Sequence, residues 1–531
     1  VKSKLTQGAV ARSTLVVMAA TLGSAVLGFA REVVNARTYG TRWEMDTFLA
    51  AATIPTILFG VFNGALVSAL VPVFSEYLTA GKREEAYRLS STVFNVLFVA
   101  LSLLAVLGYF TAPYYVPLIA HGFPPPQIKV AVHMTRWLLP GIVTTSLAGV
   151  VSAMLNAQHR FTAGALQGAA INIVTIATVL MLDAKLGVFA LVLGTVLGLI
   201  AQLLVQLPVV LLEGMYRPVI DPTHPGLKKI WVMLGPIIIG SAAGQIALFF
   251  DRFFASTLSP GYMAGMNYAT KLVGFPLQIF AAAIAAVIFP LLARHFAASD
   301  RDAIRRSMVM GLRMVNFITI PSVCGLIVLA GPIVATLFER GNFQPTATQL
   351  CAGLLPYAAV GLVATAANMV LTRCCFACKE TRWPVAASLA TVALNVALSL
   401  FWLPTLGARG LLLANSVSQT VQAGLLFVLV RRLLNGLDAR TLFVSAGRIT
   451  ACSGVMLAAL HWIAALGAAP EATLVSRGWY LLGQLAIGAL VFVGAAMIVR
   501  VEEMRIALRM ILQKFERQVL SPSDSREAPI A

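Results

Sequence analysis

Four ionisable side chains stand in stretches otherwise too apolar for them. Arg31 and Glu32 lie in GFAREVV, Asp46 is the second residue of MDTFLAAATIP, and Lys271 sits within YMAGMNYATKLVGFPLQ. A further carboxylate, Asp251, stands beside Arg252 at the end of another apolar run, while Asn395, Ser416 and Ser418 are polar positions in two more. An ionisable group near a bilayer centre costs about 2.5 to 3.5 kcal/mol on insertion scales, so one that remains there faces a wet cavity or a partner. Two kinds of chemistry suit these residues. Arginine and lysine are binders of oxyanions, phosphate above all, so Arg31 and Lys271, with Glu32 and Asp46 beside them, form a candidate site for an anionic substrate. A carboxylate with neutral oxygens nearby can take Na⁺ or a proton, which makes Asp251 with Asn395 and Ser416 or Ser418 a candidate coupling site. The alternatives are structural: Arg31 snorkelling from a helix end, and Asp251 paired with its basic neighbours or capping a helix. Lys271 follows only about ten residues of its run, which favours cavity lining over lipid exposure.

Nothing competes as a catalytic centre. The sequence has no phosphate-binding loop, no HExxH, no Gly-x-Ser-x-Gly, and no histidine set beside a plausible nucleophile. Of the 6 cysteines, Cys374, Cys375 and Cys378 cluster in RCCFACK, but without a fourth ligand nearby they do not make a zinc site. No metal, cofactor or enzymatic activity is expected. The missing Walker motif also argues against ATP-driven transport, leaving an ion gradient or the membrane potential as the energy source.

The elements that must position these residues are membrane spans. Across 531 residues 59% are hydrophobic and only 11% charged, with a mean hydropathy of +0.86. A bilayer core about 30 Å thick takes roughly 20 apolar residues per helix, and about fourteen such stretches run from Ser13 to Val501. The predicted fold class is an all-α polytopic membrane protein. The basic start VKSKLTQGAVARS leads into an apolar run without a small-residue cleavage site, so it reads as a retained first span.

The net charge of +18 follows topology. Basic residues crowd alternate loops, such as those holding Lys82, Arg83 and Arg88, Arg301, Arg305 and Arg306, or Arg373, Lys379 and Arg382. The opposite loops carry only about eight, among them Lys185, Arg409 and Arg477. The positive-inside rule then puts both termini in the cytoplasm, and no nucleic-acid partner is implied because the basic residues neither cluster on one domain nor alternate with aromatics.

The chain also repeats itself. VPVFSEYLTAGKREEAYR parallels FPLLARHFAASDRDAIRR, aligning Pro72 with Pro290, Ala80 with Ala298, Arg83 with Arg301 and Arg88 with Arg306. LPGIVTTSLAGVVSAMLNAQHRF and LPYAAVGLVATAANMVLTRCCF echo one another at nearly the same offset. A unit of six spans returns the chain to its starting side, so the halves form parallel lobes, 1–215 and 226–435, suited to alternating access about a central cavity. The proline-rich link EGMYRPVIDPTHPGLKK separates them. Two additional helices occupy 440–500. An amphipathic helix on the cytoplasmic surface is expected over 501–520, and a disordered tail over 521–531.

Taken together, these segments resemble the MurJ/MviN lipid II flippases of the multidrug/oligosaccharidyl-lipid/polysaccharide exporter superfamily. GFAREVVNARTYGTRWEMDTF resembles the family's first-loop pattern, with Arg31 at its GF-x-R arginine and Asp46 at its acidic position. ALVPVFSEY, NYATKLVGFP, LFERGNF and FACKETRWPV resemble four further family segments, and the likeness extends over essentially the whole chain. It implies two six-helix lobes plus two further helices in a bacterial inner membrane. It also implies a secondary flippase moving an undecaprenyl-diphosphate-linked peptidoglycan precursor, with Arg31 and Lys271 neutralising the diphosphate. The chain departs from the family pattern at Ala25, at Leu58, Phe59 and Gly60, and at Lys271, positions where the family carries arginine. Another lipid-linked glycan, a small amphiphile, or a transport-inactive membrane scaffold are therefore alternatives.

Overall fold

The computed structural model describes residues 23–158, 160–466 and 473–505. Among these every regular element is helical: α1 (residues 23–39), α2 (Trp43–Ala51), α3 (Thr53–Thr79), α4 (Arg83–Ile119), α5 (Pro125–Leu138), α6 (Pro140–Ala157), α7 (Phe161–Leu186), α8 (Phe189–Leu204), α9 (Leu207–Leu212), α10 (Pro225–Ser256), α11 (Tyr262–Pro276), α12 (Ala282–Ala297), α13 (Arg301–Val328), α14 (Ala330–Phe338), α15 (Pro345–Ala359), α16 (Leu362–Ala377), α17 (Arg382–Leu406), α18 (Ala408–Leu433), α19 (Ala439–Leu466) and α20 (Leu474–Ile498). A hydrocarbon solvent leaves no water for stray backbone groups, so a helix, which satisfies its own N–H and C=O groups, is the natural way across. Among the described residues eleven spans are long and apolar enough to cross a bilayer, and α15 with α16, bent by 42°, makes a twelfth. The expected fourteen fit these twelve together with α10, at 32 residues, and α1. Of the expected surface helix over 501–520, residues 501–505 are described and 502–505 are helical, while the rest of it and the tail lie outside the described residues.

Two compact units emerge from the packing. The first comprises Val1–Ala269, Leu337–Leu354 and Ser388–Asn415. Its centre is the α5–α6 span, 89% of whose most apolar window is buried, against 17% for α4, whose Phe110, Tyr114 and Leu118 face outward. α3 packs on α6 and α10 through Leu66, Leu70, Val150, Val151 and Met154. α7 and α8 approach closely, because a Cβ on Gly198 would sit 2.8 Å from the Ile171 carbonyl oxygen. Thr175 sits in the same seam and donates its hydroxyl to the Gly194 oxygen at 3.0 Å. Small residues and hydroxyls serve here because apolar burial alone does not drive helices together in lipid. The link after α9 is tied down within this unit: Arg217 pairs with Glu84 at 3.1 Å, Lys229 with Glu76 at 2.7 Å, and Asn95 donates to the Val219 oxygen.

The second unit comprises Thr270–Thr336, Leu355–Ala387 and Ser416–Ala531. α13 packs on α16 and α19, and α19 on α20, around Ile288, Met308, Leu312, Val370 and Leu426. The bend between α15 and α16 has a local cause. A Cβ on Gly361 would stand 2.8 Å from the Ser416 hydroxyl, and that hydroxyl donates to the Tyr357 carbonyl at 2.7 Å, satisfying an acceptor near the break. A second irregularity follows Pro276, where Leu277–Ala281 form a π-helical turn before α12. Pro72 in α3 and Pro290 in α12 stand at the same distance from their helix ends, as the sequence repeat aligns them.

Candidate functional site

Arg31 and Glu32 are positioned by α1. Arg31 Nη2 meets Glu32 Oε1 at 3.1 Å, with 27% of the arginine side chain and 8% of the glutamate accessible. Glu32 is therefore committed within the protein, while the rest of the guanidinium fork carries no further bond among the described residues. A partly open guanidinium with unused donors is what a phosphate oxygen needs.

Asp46 behaves differently. Only 2% exposed, it accepts the backbone N–H of Gly261 at 2.5 Å and of Ala264 at 2.7 Å, one on each carboxylate oxygen. These amides open α11, whose first N–H groups have no partner within the helix and whose dipole favours a negative charge there. Gly261 holds φ +90°, and a Cβ there would run into the Thr41 carbonyl oxygen, so glycine alone lets the loop approach. Asp46 thus acts as a remote cap for the helix that carries Lys271.

At the end of α10, Asp251 accepts from Asn395 Nδ2 of α17 at 3.1 Å. Asn395 is buried and its Oδ1 has no partner, leaving an unused oxygen next to a carboxylate, which suits a cation or proton. Beside it, Arg252 donates from Nη2 to Asn267 Oδ1 at 3.1 Å and feels the charges of Asp251, Asp46 and Glu32. Within the first unit the charges of Asp251, Asp46 and Glu32 thus all bear on Arg252, and Asn395 is held on Asp251. The sequence reading placed Arg252 at the end of its span but gave it no role. Its signal was the charged pair inside LFFDRFF.

Lys271 and Ser416 belong to the second unit. Lys271 is exposed on α11, just before the π-helical turn. The Ser416 hydroxyl is occupied at the α15–α16 bend.

The first unit also holds an aromatic cluster. Tyr268 meets Phe338 in a tilted contact and Phe343 edge-on, with centroids 5.3 and 5.7 Å apart, and Phe29 reaches Phe338 at 6.1 Å. The LFERGNF loop is stitched to the end of α1: Asn342 donates its backbone N–H to the Arg37 oxygen at 2.8 Å and its side-chain amide to the Thr38 oxygen at 2.5 Å. Among the described residues no group of three or more His, Cys, Asp or Glu side chains is arranged to hold a metal ion.

Comparison with known proteins gives this arrangement its context. Residues 35–473 match the family described as lipid II flippase MurJ. The chain is 31% identical over 468 residues to a probable lipid II flippase MurJ of Vibrio cholerae, covering 85% of this chain and 88% of that protein. It is 32% identical over 496 residues to the corresponding protein of Rhizobium meliloti, covering 90% and 91%. Among solved structures, a lipid II flippase MurJ in an inward closed conformation superposes with a TM-score of 0.78 at 23% identity, over 92% of this chain and 99% of that one. An inward-facing multidrug resistance transporter of the MATE family superposes at 0.68 with 15% identity, over 79% and 98%. Both solved structures share the fold of this chain. Since the family match extends over residues 35–473 of the 531, the chain belongs to the lipid II flippase MurJ family.

Proposed function

We propose that this protein is a secondary flippase that moves lipid II, the undecaprenyl-diphosphate-linked peptidoglycan precursor, across a bacterial inner membrane by alternating access. The observation that carries the reading is the match of residues 35–473 to the lipid II flippase family. Supporting it, Arg31 keeps unused donors on α1. The polyprenyl tail stays in the bilayer while the diphosphate and its glycan cross between two six-helix lobes, 1–215 and 226–435, with Arg31 and Lys271 offsetting the diphosphate charge. Glu32 orients Arg31, and Asp46 holds the start of the helix bearing Lys271. Asp251 with Asn395 takes Na⁺ or a proton, linking the cycle to an ion gradient. Both termini face the cytoplasm, in keeping with the distribution of basic loops.

A second reading, export of a different lipid-linked glycan, draws on Leu58 and Phe59. These stand where the resemblance implies arginine, and they pack against the apolar core of the first unit. Complementation of a strain depleted of its lipid II flippase tests both. Restored growth supports lipid II as cargo, and a well-inserted protein that fails to rescue growth favours the second reading.

A further inference from the structure

At the membrane surface where α19 begins, the second unit contains a cavity of about 520 Å³ that the proposed transport path does not use. It is lined by Arg313 of α13, by Arg440, Ser445 and Arg448 of α19, and by Glu502 and Glu503 after α20. α19 and α20 are both spans, so the start of one and the end of the other meet the same face of the bilayer.

The charges in this cavity are unevenly matched. Glu503 accepts from Arg313 Nε at 2.5 Å and from the Ser445 hydroxyl, and Glu502 accepts from Arg313 Nη2 at 2.7 Å. Asp438, the third acid in the lining, accepts from the Thr441 backbone N–H at 3.0 Å and from its hydroxyl at 2.5 Å. All three carboxylates are therefore engaged. Arg440 and Arg448, both exposed, form no ion pair or hydrogen bond among the described residues. They lie about 12 Å apart along the axis of α19, a gap that two extended arginine side chains can close onto one headgroup. Between them on the helix, Phe443 (72% exposed) and Val444 (47%) offer apolar surface for an acyl chain.

We propose that this cavity binds an anionic phospholipid, its phosphate held by Arg440 and Arg448 and its acyl chain lying along Phe443 and Val444. Arginine is suited to the task because its planar fork matches phosphate oxygens and its charge is weakly hydrated. The lipid would brace the start of α19 against α13 and the end of α20. The inference stands on residues outside the transport site and does not depend on the cargo.

The test is lipid binding to the full chain in neutral detergent, read by native mass spectrometry with phosphatidylglycerol, phosphatidylcholine and inorganic phosphate as probes. The wild-type protein should retain phosphatidylglycerol in preference to phosphatidylcholine. Arg440→Gln with Arg448→Gln should weaken that binding about tenfold, and the corresponding double lysine variant should keep most of it. Thermal stability without lipid should change little in either, since neither arginine forms an ion pair or hydrogen bond among the described residues and Arg440 acts on Asp438 only through its charge. Equal binding of the two lipids, or undiminished phosphatidylglycerol binding by the glutamine variant, would overturn the proposal. So would inorganic phosphate binding as tightly as the lipid, which would make the cavity a site for free phosphate.

Discussion

The carboxylate of Asp46 and the backbone N–H of Gly261 meet at 2.5 Å across 215 residues of sequence. With the Ala264 amide on its other oxygen, Asp46 fixes where α11 starts and how it is oriented. Replacing Asp46 with Ala should leave two buried amides unpaired and destabilise the protein by about 2 to 4 kcal/mol, whereas Asn, which keeps one acceptor, should cost less. Thermal unfolding in detergent measures both. Equal stability of wild type and Asp46→Ala would refute the capping role.

Arg31 and Lys271 are predicted to act on the diphosphate. Arg31→Ala should remove a charge-assisted contact worth roughly 1.5 to 3 kcal/mol, about a ten- to hundredfold loss in flipping. Lys271→Arg should be tolerated or improve binding, and alanine at both positions should abolish transport. Head-group accessibility in proteoliposomes is the readout, with insertion and stability checked for each variant. Normal flipping of lipid II by a folded double alanine variant would remove both residues from the site.

Asp251→Asn should uncouple the transporter while leaving substrate binding in place, because it removes a charge without changing shape. Transport by the wild type should respond to an imposed Na⁺ or proton gradient, and the variant should not. If wild type and variant respond alike, coupling lies elsewhere. Arg252→Ala should instead lower stability, by about 3 to 5 kcal/mol, since it leaves the surrounding carboxylates uncompensated.

Glu503 gives a prediction in pH. Burial pushes its carboxyl up, but hydrogen bonds from Arg313 and Ser445 prevail and hold it below the ordinary value of 4.5. A folded-state pKa below the unfolded one stabilises fully above the unfolded value and is lost as pH falls through the folded one. Anchorage of the chain after α20 should therefore be constant near neutrality and weaken below about pH 4.5. Limited proteolysis across that range should show it for the wild type. In Glu503→Gln the anchorage should be weakened already at neutral pH, with little further change on acidification.

Within the candidate site, what was legible in advance followed the cost of each residue. Arg31, Asp46, Asp251 and Lys271 stood out because a charge in an apolar run is expensive wherever the chain goes. Arg252 was visible for the same reason, but its role depends on Glu32 and Asp46, which lie far away in sequence. Ser416 looked like a cation ligand from its polarity, yet its hydroxyl serves the Tyr357 carbonyl at a helix bend that hydropathy does not reveal.

By itself the sequence determined that this protein is built from helices crossing a bilayer and which spans carry charge. Both properties are local: twenty apolar residues span a membrane, and an isolated charge costs the same whatever its eventual neighbours. The tertiary structure decided which charges meet. It set Asn395 on Asp251 across 144 residues and the Asn342 side chain on the Thr38 carbonyl across 304. Such pairings depend on how helices pack and on the close approaches that glycines such as Gly261 permit, and a one-dimensional pattern of hydropathy carries neither.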